Sequence, residues 1–196
     1  MKYLVVSLLS ASLSFVAMAE SNTNKSVTSA EQVEVLKMVG EDSNKLLKTG
    51  ASYSLKTIND TGKLPPFALI MNNDGSIGKL EPLLPFIKNA PIGDKINYLR
   101  GQIKKFAEED KIKAGALFSR GFGRTADKKT EVAGLIVEAE HRNGPSTVQF
   151  IPLEDKAGQL VAVDSTAKPK PRLFFNKQIS SDETYQQIKQ ALTETK

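Results

Sequence analysis

Five consecutive apolar residues, Phe67-Ala68-Leu69-Ile70-Met71, constrain the fold of this chain more than any other feature. A run this short and unbroken is what a strand covered on both faces requires. It follows Pro65-Pro66 and ends at Asn72-Asn73-Asp74-Gly75. Asn and Asp-Gly tolerate positive φ, so that tetrapeptide is a turn, and Ile77 to Leu80 returns as the partner strand. Asn72 to Gly75 is too short for a calcium loop and lacks its downstream glutamate.

Helical signals flank this hairpin. Ser29 stands three residues before Gln32, as in a capping box. Val33, Leu36, Val39, Leu46 and Leu47 then trace a stripe, and Gly50 offers a C-terminal cap. The first helix is therefore expected over 30–49. Tyr53-Ser54-Leu55-Lys56 reads as a short strand or an irregular lead-in. Pro82, Pro85 and Pro91 break the segment after the hairpin. Asp94 to Asp110 is expected as the second helix, with Ile96, Leu99, Ile103, Phe106 and Ala107 at helical spacing.

Strands are expected at Ala114 to Ser119, Glu131 to His141 and Ser146 to Pro152, the last two joined by a two-residue turn at Asn143-Gly144. Leu160 to Val163 and Arg172 to Phe175 are weaker strand candidates, separated by Lys168-Pro169-Lys170-Pro171. A last helix, capped by Ser181 or Asp182, would carry Tyr185, Ile188 and Leu192 on one stripe. The expected fold is a single α+β domain over 29–196, with helices packed on an antiparallel sheet in the order α-β-β-α-β-β-β-α. That order resembles profilin-like and roadblock-type domains. Pro66-Phe67-Ala68, Asp74-Gly75, Leu99-Arg100 and Glu140-His141 together resemble a group of small uncharacterised bacterial proteins. Neither resemblance implies an activity.

The first nineteen residues read as a secretory signal peptide: Lys2, an apolar run from Leu4 to Val16, then Ala17-Met18-Ala19 before polar Glu20. The apolar core is shorter than the ~20 residues of a membrane helix. Cleavage after Ala19 leaves a flexible leader at 20–28 and, in a Gram-negative source, releases the chain into the periplasm with no integral membrane span. Lys2 is the one charge in the signal peptide, so the net charge of +5 becomes +4. The chain has no cysteine, which excludes disulfide staples, a lipid-anchoring cysteine and a thiol nucleophile.

Several constellations bear on chemistry. Arg120-Gly121-Phe122-Gly123-Arg124, with Lys128 and Lys129, is the densest basic cluster and is expected as a loop. Its glycines could turn N–H groups toward an anion, with the arginines supplying charge. It lacks a phosphate-loop pattern. Nucleic acid is not an expected partner in this compartment; an acidic protein or lipid headgroups fit it better.

With a two-residue turn, Glu138, Glu140, Thr147 and Gln149 share one sheet face. Val137, Ala139, Val148 and Phe150 share the other. The two carboxylates would stand ~7 Å apart, a separation usable for acid–base work on a glycosidic bond. The plainer expectation is a solvated sheet face. His141, the single histidine, is expected as a half-buried strand-end residue, pointing away from Glu140. Ser165-Thr166-Ala167-Lys168 and Lys48-Thr49-Gly50 fit penicillin-binding patterns. Pro169 disfavours the helix the serine needs, and the order of the motifs is reversed. The expectation is therefore a non-enzymatic periplasmic module that binds another envelope protein, without cofactor or metal. The alternative is a small-ligand-binding protein or hydrolase using Glu138 and Glu140 with at least one raised carboxyl pKa.

Overall fold

A computed structural model describes residues 30–124, 130–163 and 165–175. The signal peptide and leader expected over 1–28, Ser29, Lys128, Lys129 and the helix expected after Ser181 lie outside the described residues. Helix α1 spans Ala30–Thr61, and β1 (Phe67–Asn72) and β2 (Ile77–Leu80) form the first hairpin. Short α2 (Pro85–Lys88) precedes α3 (Ile92–Glu108). Five further strands follow: β3 (Ile112–Arg124), β4 (Glu131–His141), β5 (Ser146–Lys156), β6 (Gln159–Ala162) and β7 (Thr166–Pro169). They complete a seven-stranded sheet in the order β2-β1-β3-β4-β5-β6, with β7 also on β5. All strand pairs are antiparallel. The chain is a single α+β domain.

β1 is covered on both faces, as its composition requires. Phe67, Leu69 and Met71 join Ala114, Ala116, Phe118, Leu135 and Val137 in a core closed by Leu46 and Ile58 of α1. Ala68 and Ile70 join Leu117, Leu99, Ile103 and Ala107 in a second core, closed by α3 and by Phe174 and Phe175. Register places Phe67 opposite Phe118, and their rings stack at 5.0 Å between centroids.

Four expectations fail here. The first helix does not stop at Gly50 but continues to Thr61, through the residues read as a short strand. Gly50 is buried against the Phe118 ring, and a Cβ there would lie 2.0 Å from Cζ. The glycine is there for close approach, not for a left-handed cap. The positive φ of +71° belongs to Gly62, whose N–H donates to the Ile58 carbonyl at 2.7 Å.

The Arg120–Arg124 segment is not a loop but the second half of β3, paired residue by residue with Glu131–Leu135. Arg172–Phe175 is not a strand; Thr166–Pro169 is, pairing with Thr147–Phe150 of β5. The β4–β5 register is also one residue off the two-residue turn. Glu140 pairs with Ser146, so Arg142-Asn143-Gly144 forms the connection, closed by Gly144 N–H to the His141 carbonyl at 3.1 Å.

Glycine at 50 should be irreplaceable. Gly50→Ala is expected to cost about 1–3 kcal/mol through overpacking against Phe118. Gly101→Ala, where nothing lies within 4 Å of the added atom, should instead stabilise α3 by about 0.5–1 kcal/mol. Urea unfolding of the two variants checks both.

Candidate functional site

The pairing of Glu140 with Ser146 decides what surrounds the paired carboxylates. A one-residue slip moves every β5 side chain to the opposite face. Glu138 and Glu140 now share their face with Val148 and Ser146, while Thr147 and Gln149 lie on the other with Ala139 and Val137. That shared face is the one α3 covers, since Leu117 stands opposite Glu138. Neither glutamate is solvated: Glu138 is 8% exposed and Glu140 2%.

Each buried carboxylate has a full set of donors. Arg100 of α3 approaches Glu138 with both Nε, at 3.1 Å, and its terminal Nη2, a fork that fixes the pair in plane. Lys170 Nζ donates to Glu138 Oε2 at 2.8 Å. Burial pushes the Glu138 carboxyl up, but Arg100 and Lys170 outweigh it and hold the group below its ordinary value. The raised carboxyl expected for acid–base work is not found at Glu138.

Glu140 holds a different structure. Arg172 Nε donates to it at 3.0 Å. The backbone N–H groups of Leu173, Phe174 and Phe175 donate at 2.9, 3.2 and 3.0 Å. Arg172 also donates to the carbonyls of Gly144, His141 and Arg142 at the β4–β5 connection. The segment after β7 is thus strapped across the sheet, and Phe174 and Phe175 are delivered into the α3 core.

His141 is fully buried, not half-buried, on the face opposite Glu140. Its Nδ1 accepts the Asn143 N–H at 3.1 Å, which assigns the proton to Nε2 and directs it at Asp42 Oδ2, 3.3 Å away. Lys113 Nζ contacts the same Asp42 oxygen at 2.9 Å. Both ring nitrogens are engaged, so neither is free to take a proton from a nucleophile. Burial lowers the imidazole below its ordinary value of 6.5, against the pull of Asp42.

The basic cluster is divided between two faces of the β3–β4 ribbon. Gly121 and Gly123 make room for Ile136 and the Phe150 ring; a Cβ would come within 2.4 and 2.8 Å of them. Their role is packing beneath side chains, not turning N–H groups toward an anion. Arg120, Phe122 and Arg124 alternate with them on the other face, opposite Leu135, Ala133 and Glu131. Arg120 donates to the Gly62 carbonyl at 3.0 Å. Phe122 is 72% exposed.

A second surface carries none of the site residues expected from the sequence. Leu83, Leu84, Phe86 and Ile92 are exposed around α2 and the first turn of α3, with Phe86 at 73%. The Phe86 ring meets Tyr98 edge-on at 6.3 Å between centroids. A signal was present: apolar residues placed among Pro82, Pro85 and Pro91 have no periodic face to bury.

Other motifs fall in ordinary structure. Ser165 precedes strand β7, not a helix, and its Oγ accepts from Gln149 at 2.6 Å. Lys48-Thr49-Gly50 lies inside α1. Asp74 caps its turn by accepting from Ser76 N–H at 2.8 Å. Arg100 binds Glu138, Glu140 and His141 make their polar contacts on opposite faces of β4, and Phe67 and Ala68 open β1 just after Pro66. No protein-family model, curated protein or solved structure matches the chain. No helix among the described residues is long and apolar enough to cross a membrane, and no group of metal-ligating side chains occurs among them.

Glu140→Ala should cost about 3–5 kcal/mol, because Arg172 would be left buried without its counter-charge. Urea denaturation measures the loss, and faster amide exchange at Leu173–Phe175 locates it. Acid should weaken the fold in two stages. His141 and Glu138 are both depressed, so each favours the folded state above its unfolded pKa. The His141 contribution is lost as pH falls from 6.5 through the lower folded value. That of Glu138 is lost below 4.5. Melting temperature against pH should show the first stage removed in His141→Asn.

Proposed function

We propose that this chain is exported, is released by cleavage after Ala19, and acts in the periplasm as a non-enzymatic accessory module that binds another envelope protein. One observation carries the binding part of this reading: four large apolar side chains, Leu83, Leu84, Phe86 and Ile92, stand exposed within one short segment. Water is a poor neighbour for such a group, and concentrated exposure of this kind is how protein surfaces meet partners. Aromatic residues near the centre of an interface typically supply much of its binding energy. Phe86 is the natural anchor.

The non-enzymatic part follows from how the buried ionisable groups are used. Glu138 and Glu140 hold the strap and α3, and His141 holds α1 through Asp42. A hydrolytic role for the carboxylate pair would need a raised carboxyl group, and Glu138 is lowered.

Cross-linking in the envelope of living cells tests the binding surface. Wild-type chain should capture a defined partner that Phe86→Asp loses by about tenfold or more in affinity, with melting temperature unchanged. Capture that is the same for both chains overturns the assignment of the surface. Mass spectrometry should place the mature N-terminus at Glu20; an intact chain in the cytosol overturns the export reading.

A further inference from the structure

Among the described residues, the β3–β4 ribbon leaves a strand edge unpaired. β3 is 13 residues long, but its pairing with β1 runs only as far as Phe118, opposite Phe67. The residues before Phe67 are Pro65 and Pro66, which have no N–H to continue a ladder. From Arg120 to Arg124, no strand among the described residues pairs with β3 on the β1 side. On the other side of the ribbon, pairing of β4 with β5 ends at Gly134 and Pro152.

Helix α1 also stops here. Its end is marked by Gly62, whose carbonyl receives Arg120, and Phe122 beyond it is exposed on the face that α1 covers elsewhere. A cation, an aromatic ring and a cation therefore stand at alternate positions on one face of an open edge. Arginine at both ends discourages a second copy from pairing edge to edge, since like charges would meet. The same charges attract an acidic strand. The β4 edge is the poorer choice for such a strand, because Glu131 sits there.

We infer that the Arg120–Arg124 edge receives an extended acidic segment of a partner protein, added as a further strand beside β3. Backbone hydrogen bonds would supply affinity, as in other strand-addition complexes. Cross-strand neighbours of Arg120, Phe122 and Arg124 would supply specificity, which sets the recognised pattern as acidic, any, apolar, any, acidic. The inference shares with the proposal above only the premise that the chain binds protein. It uses a different surface, so the two fail separately.

The test uses the full chain and a synthetic peptide carrying Glu-Thr-Leu-Thr-Glu. At about millimolar peptide and low salt, amide exchange at alternate residues of Arg120–Arg124 should slow about tenfold or more. The effect should fade as salt rises to about 0.5 M. Phe122→Ser combined with Arg124→Glu should weaken binding about tenfold or more, while Phe86→Asp should leave it unchanged. Both altered positions are exposed, and an unchanged melting temperature verifies folding. Four results overturn the inference: no slowing at this edge; equal binding of the Lys-Thr-Leu-Thr-Lys peptide; equal binding of a peptide N-methylated at alternate residues, which cannot form the ladder; or binding of phosphatidylglycerol vesicles in place of the peptide.

Discussion

Two carboxylates on one strand hold this molecule together across its layers. Glu138 and Glu140 sit on the α3 face of β4, where an uncompensated charge would be prohibitive. Their donors come from two places: α3 through Arg100, and the stretch after β7 through Lys170, Arg172 and the backbone of Leu173–Phe175. Because Arg172 also reaches the carbonyls of the β4–β5 connection, the turn, the strap and α3 are joined through one polar centre. The apolar contribution depends on this geometry. Phe174 and Phe175 enter the second core only because the strap is held in place.

The opposite face follows different physics. There α1 lies close enough that Gly50 meets the Phe118 ring, and the stacked Phe67 and Phe118 fill the space between helix and sheet. A polar contact on this side is made by the half-buried Asp42, which takes both Lys113 and His141. Charge is thus paired on both faces of the sheet, near the end of β4 that carries Glu140 and His141. The ribbon at the other end of β4 is left exposed.

Local signals in the sequence were legible. The apolar run of β1, the Asp74-Gly75 turn, the stripe of α3 and the single α+β domain are written in nearest-neighbour chemistry. What failed depended on distant partners. Gly50 looked like a cap because its reason for being glycine is Phe118, 68 positions away. Gly121 and Gly123 looked like a loop because Ile136 and Phe150, which fill their space, cannot be inferred from neighbours. Asn143-Gly144 signalled a tight turn, yet the connection takes one residue more, and that slip exchanged the faces of β5. The carboxylates were expected on a solvated face and are buried instead, since Arg100, Lys170 and Arg172 are brought to them by the fold. The β5–β6 turn was also hidden: Ala157 and Gly158 both adopt positive φ, and alanine rarely advertises such a bend.

Glu140 grips its strap by main-chain amides, which nearly every amino acid possesses. At position 173, where the side chain points outward, nineteen residue types keep the donor and proline alone deletes it. Selection there can act freely on whatever the exposed side chain meets without loosening the belt beneath it. The route of this stretch is therefore inherited more rigidly than its spelling.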